Sequence, residues 1–151
     1  MLSCFFIGHH NAPEAVKPHL ADAIERHIME YGVTEFVVGH YGAIDRMAES
    51  ALRTAKAAHP EIYLRLLLPY HPHDHPVEAP LGFDDTFYPP GMETVPRRVA
   101  ILRANRYMID HSDFLIAFDR GQFGNTSDLV EAARRRERKG LIQIENLAEK
   151  Y

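Results

Sequence analysis

Three short loops hold the residues whose types and order could bind an anion. They are Gly8-His9-His10-Asn11, Gly39-His40-Tyr41-Gly42-Ala43-Ile44-Asp45, and the longer Asp119-Arg120-Gly121-Gln122-Phe123-Gly124-Asn125-Thr126-Ser127-Asp128. Each begins where an apolar run stops, and each leads into a stretch with helical periodicity. The first amides of a helix have no intrahelical acceptor and sit at the positive end of its dipole. Glycine lets backbone N–H groups come close to a phosphate, and Asn125, Thr126 and Ser127 add short donors. The expected ligand-binding set is therefore Gly8, His9, His10, Gly39, His40, Gly42, Asp45, Gly121, Gly124, Asn125, Thr126 and Ser127. The expected ligand is a nucleotide or another phosphorylated small molecule. A plainer reading stands beside this one. Tight strand-to-helix turns use glycine without any ligand, and Asp45 and Asp128 fall in first helical turns, where the dipole favours a carboxylate anyway.

The elements around these loops can be read from hydrophobic period. Cys4-Phe5-Phe6-Ile7, Glu35-Phe36-Val37-Val38, Tyr63 to Leu68, Phe114 to Phe118 and Leu141 to Ile144 are short runs without polar alternation, as strands covered on both faces require. Between them lie amphipathic stretches: Val16 to Tyr31 ended by Gly32, Ile44 to Ala55 closed by His59-Pro60, Pro96 to Ile109, and Leu129 to Ala133 ended by Gly140. Strands that alternate with helices imply a parallel sheet with both faces covered. Five strands are too few for an eightfold barrel. The expected fold is α/β, a Rossmann-like doubly wound three-layer sandwich with a mostly parallel five-stranded sheet. In such sheets ligands bind beyond the carboxyl ends of the strands, which is where the three loops would meet. From about 69 to 95 no period is legible, so this His/Pro-rich stretch is expected to be a long loop, whether functional, a lid or disordered. The tail from Glu145 is expected to be loose.

Composition narrows the classes. The chain has 151 residues, enough for one domain spanning 1–151. With 17 Lys plus Arg against 21 Asp plus Glu, its net charge is −4, so no strong nucleic-acid binding is expected. No apolar run reaches the roughly 18–20 residues of a membrane span, and the apolar opening MLSCFFIGHH lacks a basic leader, so the expected location is cytoplasmic. A single cysteine, Cys4, allows no internal disulfide. No GxGxxG follows the first strand and no Walker A pattern occurs, which disfavours an ordinary NAD site or P-loop, and no cofactor is expected. His71, His73 and His75 alternate in a Pro-bounded tract and would share one side of an extended chain. They raise a metal-dependent hydrolase as an alternative. An exposed loop with adventitious metal affinity is the plainer reading, and no residue is assigned as a metal ligand.

Taken in order, Cys-Phe-Phe-Ile-Gly-His-His at the start, Gly-His-Tyr-Gly-Ala-Ile-Asp-Arg-Met-Ala-Glu after the second strand, and Arg-Tyr-Met-Ile-Asp-His-Ser-Asp-Phe-Leu-Ile-Ala-Phe before the last glycine turn resemble the SLOG superfamily. That group joins the DprA/Smf proteins, the LOG phosphoribohydrolases and the small YpsA-type proteins, and the YpsA-type branch is the nearest in appearance. The resemblance covers about residues 4–144 and implies a Rossmann-like domain for nucleotides or nucleotide-derived ligands. In LOG enzymes a Pro-Gly-Gly-x-Gly-Thr-x-x-Glu motif holds the phosphate and supplies a catalytic glutamate. Residues 119–128 match it with the proline and first glycine replaced, and Asp128, or Glu131 one turn on, falls at the glutamate. The LOG Arg-Lys pair falls at Ala104-Asn105, flanked by Arg103 and Arg106.

An enzyme cleaving the N-glycosidic bond of a nucleoside monophosphate is therefore an alternative. A carboxylate from Asp128 or Glu49 would stabilise positive charge on the ribose, and Arg103 or Arg106 would hold the phosphate. The departures remove catalytic groups and keep amide-presenting turns, which favours binding without catalysis. Because LOG relatives pair through helices, a homodimer is a further expectation.

Overall fold

A computed structural model describes residues 1–150. Its strands are β1 (Leu2–Gly8), β2 (Val33–Val38), β3 (Tyr63–Leu67), β4 (Asp85–Phe87), β5 (Phe114–Phe118) and β6 (Gln143–Asn146). Its helices are α1 (Lys17–Met29), α2 (Ala43–Ala58), α3 (Ala100–His111) and α4 (Asn125–Arg138), with short 3-10 turns before α1 and α3 and after β6. The six strands form one sheet in the order β4-β3-β2-β1-β5-β6, and every pairing is parallel.

The apolar runs behave as their lack of alternation requires. Along β1, Cys4 and Phe6 enter one core with α1 and α2. Phe5 and Ile7 enter the other with α3 and α4. The same split divides Phe36 and Val38 from Val37, and Ile116 and Phe118 from Leu115 and Ala117. A strand buried on both faces needs an apolar residue at every position, and the helices supply both covers. The fold is thus Rossmann-like α/β. The chain grows outward from β1 through β2 and β3, then returns to place β5 on the other side of β1. That reversal lies between β1 and β5, where an α/β sheet opens a crevice at its carboxyl edge.

Three expectations need correction. The sheet has six strands rather than five, because β4 lies inside the stretch read as structureless. No apolar pattern marks Asp85-Thr86-Phe87; charge holds it instead. Arg65 on β3 donates from Nε to Asp85 Oδ1 at 2.9 Å and lies 3.3 Å from Glu35 on β2. Its guanidinium rests 4.5 Å from the Phe87 ring centroid, and Tyr63 donates its hydroxyl to Asp85 at 2.7 Å. The neighbouring Asp84 accepts from the Leu64 amide at 2.8 Å and pairs with Lys56.

The tail from Glu145 is not loose. The last strand runs two residues later than expected, Glu145 pairs with Arg26, and Leu147 is buried. The histidine tract, finally, is not extended. The amides of Asp74 and His75 both donate to the His71 carbonyl, at 3.0 and 2.9 Å, which closes a turn. Among the described residues no helix is long and apolar enough to cross a membrane.

Candidate functional site

The carboxyl end of β1, the starts of α2 and α4 and one face of α3 surround a cleft of about 430 Å³. That falls within the size range of small-ligand sites. Its floor is apolar, from Phe6, Ile7, Ile44, Ile101, Leu102 and Leu129, and its polar wall includes His9, His10, Asp45, Arg98, Asn105 and Asn125. Of the expected residues, Gly8, His9, His10, Gly42, Asp45, Gly124, Asn125 and Thr126 line the cleft. Gly39, His40, Gly121 and Ser127 do not line it.

The two helix starts differ. At α2, the Ala43 amide donates to the His10 carbonyl at 3.2 Å, so the first loop lies across this end. Asp45, in the first turn of α2, accepts from the Tyr41 amide at 2.9 Å, in the manner of a capping residue that reaches backwards. A Cβ on Gly39 would come within 2.9 Å of the same Asp45 carboxylate, which accounts for that glycine. Burial pushes the half-buried Asp45 carboxyl up to about 7, and the Tyr41 amide and Arg46 offset this only in part. Near neutral pH it is therefore partly protonated, which eases its position beside an anion.

At α4 the start is open. Gly124 holds φ +134°, a conformation that only glycine adopts readily, and no side chain caps the helix. A Cβ at Gly121 or Gly124 would meet nothing within 4 Å. The Asn125, Thr126 and Ser127 amides have no intrahelical acceptor, and no protein acceptor takes them among the described residues. The side chains are less available than expected. Thr126 donates its hydroxyl to the Gly8 carbonyl at 3.1 Å, tying α4 to the end of β1. The Ser127 hydroxyl is engaged inside its own loop, by Asp119 Oδ1 at 2.7 Å and by the Gln122 carbonyl. What this end offers a ligand is backbone amide and Asn125.

The loop before α4 is fixed by groups the sequence reading did not select. Asp119 Oδ1 also accepts from the Gly121 amide at 3.0 Å. His9 Nε2 accepts from the Arg120 amide at 2.9 Å, which requires that nitrogen to be bare of a proton. Asn146, at the end of β6, both accepts from the Asp119 amide at 3.0 Å and donates to the Asp119 carbonyl at 2.9 Å. Its amide prolongs the ladder between β5 and β6 by one step.

The expected catalytic residues do not come together in the cleft. Asp128 is exposed and does not line the cleft. Arg106 pairs with Asp110 at 3.3 Å and borders a different groove, and Arg103 is exposed away from the cleft. The residues of that segment that reach the cleft are Arg98, Ile101, Leu102 and Asn105. Their spacing of i, i+3, i+4 and i+7 marks one helical face, and this phase was the signal that would have selected Arg98 in place of Arg103 and Arg106. Glu49 pairs with Arg53 and lies 3.8 Å from His40. Among the described residues, no three His, Cys, Asp or Glu side chains gather as a metal-holding group. His71 and His73 are within ring contact, whereas His75 packs on Tyr70.

No protein-family model matches the chain, and no curated protein matches it. Among solved structures, DNA processing protein A from Helicobacter pylori, described for its single-stranded DNA binding mode, matches with a TM-score of 0.55 at 17% identity. The match covers 98% of this chain and 77% of that one. At that identity the likeness shows a shared fold. It also overturns the expectation of no strong nucleic-acid binding, because a protein of this fold binds single-stranded DNA. Net charge sums the whole surface, whereas nucleic-acid binding depends on the local field at one rim. The rim here has Arg98 in the cleft wall and Arg97 beside it.

Proposed function

We propose that this chain is a nucleotide-binding domain of SLOG type, which holds a phosphate between the amides opening α4 and the guanidinium of Arg98. The observation that carries this reading is the uncapped start of α4 on a cleft at the sheet's reversal point. An anion there would satisfy amides that have no other acceptor and would meet the positive end of the helix dipole. The ordered motifs along residues 4–144 support the SLOG assignment. Binding without turnover is favoured, because the one carboxyl lining the cleft, Asp45, is already engaged by the Tyr41 amide.

A second reading places the same phosphate within a single strand of DNA, and the fold shared with DNA processing protein A favours it. One experiment tests both. Adenosine 5′-monophosphate is titrated by calorimetry, and a fluorescein-labelled oligothymidylate by anisotropy at two salt concentrations. Binding of either ligand is expected to fall about tenfold or more in Arg98→Ala, the scale of one charged hydrogen bond. It is expected to be lost in Gly124→Val, with the melting temperature tracking the fold of each variant. Absence of binding for both ligands at millimolar concentration refutes the assignment. Strand binding that falls steeply with salt, with no mononucleotide binding, decides for the second reading.

A further inference from the structure

The segment 69–95 builds a second cavity, of about 210 Å³, lined by Tyr70, Tyr88, Arg97, Asp74 and Glu93 among others. It adjoins the cleft. Arg97 and Arg98 are successive residues, yet Arg98 lines the cleft and Arg97 lines this cavity. Tyr41, on the cleft wall, meets Tyr70 edge to face at 6.3 Å between ring centroids. Resting on the nucleotide reading above, we propose that this cavity is a base subsite: it takes the heterocycle of a nucleotide whose phosphate lies in the cleft, and it selects bases that carry an exocyclic amino group.

Two observations carry this. The first is the wall. The Arg97 guanidinium lies 4.5 Å from the centroid of the Tyr70 ring, and Tyr88 is met edge-on by His71 at 5.3 Å. Tyr70 and Tyr88 are both half-buried, and their hydroxyls make no hydrogen bond among the described residues. Flat π surfaces and a planar cation of this kind are what unpaired bases stack on. The second is charge. The cleft has Arg98 and open amides against one carboxyl that burial keeps partly protonated. The second cavity has two carboxylates, Asp74 and Glu93, against one arginine. Desolvation pushes the Tyr88 phenol up, and Glu93 and Asp74 add to that rise, which places both acids near it. A phosphate is repelled there, whereas a carboxylate accepts hydrogen bonds from the amino groups of guanine, adenine or cytosine. The two cavities thus divide the ends of a nucleotide between them.

Calorimetric titration with ribose 5-phosphate, uridine 5′-monophosphate and guanosine 5′-monophosphate tests the proposal. Guanosine monophosphate is expected to bind at least tenfold more tightly than ribose 5-phosphate, and more tightly than uridine monophosphate. Tyr70→Leu is expected to remove most of that tenfold advantage and to leave ribose 5-phosphate affinity unchanged. The surface variant Glu93→Gln, which leaves the core untouched, is expected to narrow the gap between guanosine and uridine monophosphates. Equal affinity for ribose 5-phosphate and both nucleotides overturns the base subsite and leaves the phosphate cleft standing. Equal weakening of all three ligands by Tyr70→Leu, with Glu93→Gln silent, overturns it as well. Failure of all three to bind the unaltered protein refutes the cleft and the subsite together.

Discussion

Substituting Gly8 separates packing from ligand approach as the reason for a glycine at the end of β1. A Cβ built there stands 2.1 Å from Ile44 Cγ1, 2.8 Å from Ile44 Cβ and 3.2 Å from Cδ1. Carbon atoms in contact sit about 3.5–4.0 Å apart, so the overlap at Cγ1 is about 1.5 Å. Turning the Ile44 side chain moves Cγ1 and Cδ1 but not its Cβ, so α2 itself must withdraw from β1. Gly8→Ala is therefore expected to cost about 3 kcal/mol, the upper part of the range for overpacked cores and a large share of a total of about 5–15 kcal/mol. Ile44 is 2% exposed, and Ile44→Ala alone should cost about 2–4 kcal/mol. In the double variant the worst contact relaxes from 2.1 to 2.8 Å, so the two costs should fall short of additivity by about 1–2 kcal/mol. Urea unfolding of the four proteins, followed by far-UV circular dichroism with the slope held as a check on the unfolded state, measures this cycle. Additivity within about 0.5 kcal/mol would refute the packing account. A fully stable Gly8→Ala variant that had lost only ligand binding would move the glycine's role to the cleft.

The remaining expectations concern the site's supports. Asp45 has a folded-state pKa of about 7 against 3.8 unperturbed, so the native chain holds a proton that the unfolded chain releases. Stability should fall as pH rises from about 4 to about 7, and Asp45→Asn should remove on the order of 1–2 kcal/mol of that decline, discounted because the carboxyl is only half-buried. A pH profile of unfolding unchanged by Asp45→Asn counts against it. Arg65→Met should release β4, so that the Thr86 and Phe87 amides lose hydrogen-exchange protection while β1 and β2 keep theirs; retained protection would show that the charge cluster is not what holds the strand. Asn146→Ala breaks both bonds to the Asp119 backbone and should cost about 1–3 kcal/mol, with weaker phosphate binding because the loop before α4 loses its anchor. Unaltered thermal stability in that variant would argue against this role.

How far these features were legible depends on the kind of force behind each. β1, β2, β5 and the four helices were readable because burial dictates them: a strand covered on both faces is apolar almost throughout, and a helix with one apolar face repeats every 3.6 residues. β4 escaped because Asp85-Thr86-Phe87 is paired through Arg65, which lies 20 positions earlier and is contributed by a neighbouring strand. No local pattern encodes a partner at that distance. The end of the chain escaped for a similar reason. Glu145 and Asn146 look like a polar tail until Arg26 and the Asp119 backbone are placed beside them.

The site shows a different limit. A glycine after a strand is compatible with several needs, and four of these glycines meet three different ones. Gly8 admits Ile44, Gly39 makes room for Asp45, and Gly42 and Gly124 supply positive φ at two helix starts. Only Gly124 opens onto unoccupied space with unpaired amides behind it, so composition marks the edge of the sheet without marking which turn holds the ligand. Helix phase carries that information better. Arg98, Ile101, Leu102 and Asn105 share a face that lines the cleft, one step round from the Ala100, Ala104 and Met108 face packed into the core. A cation four residues before a half-buried leucine on that face is thus a stronger pointer to the cleft than Arg103 or Arg106.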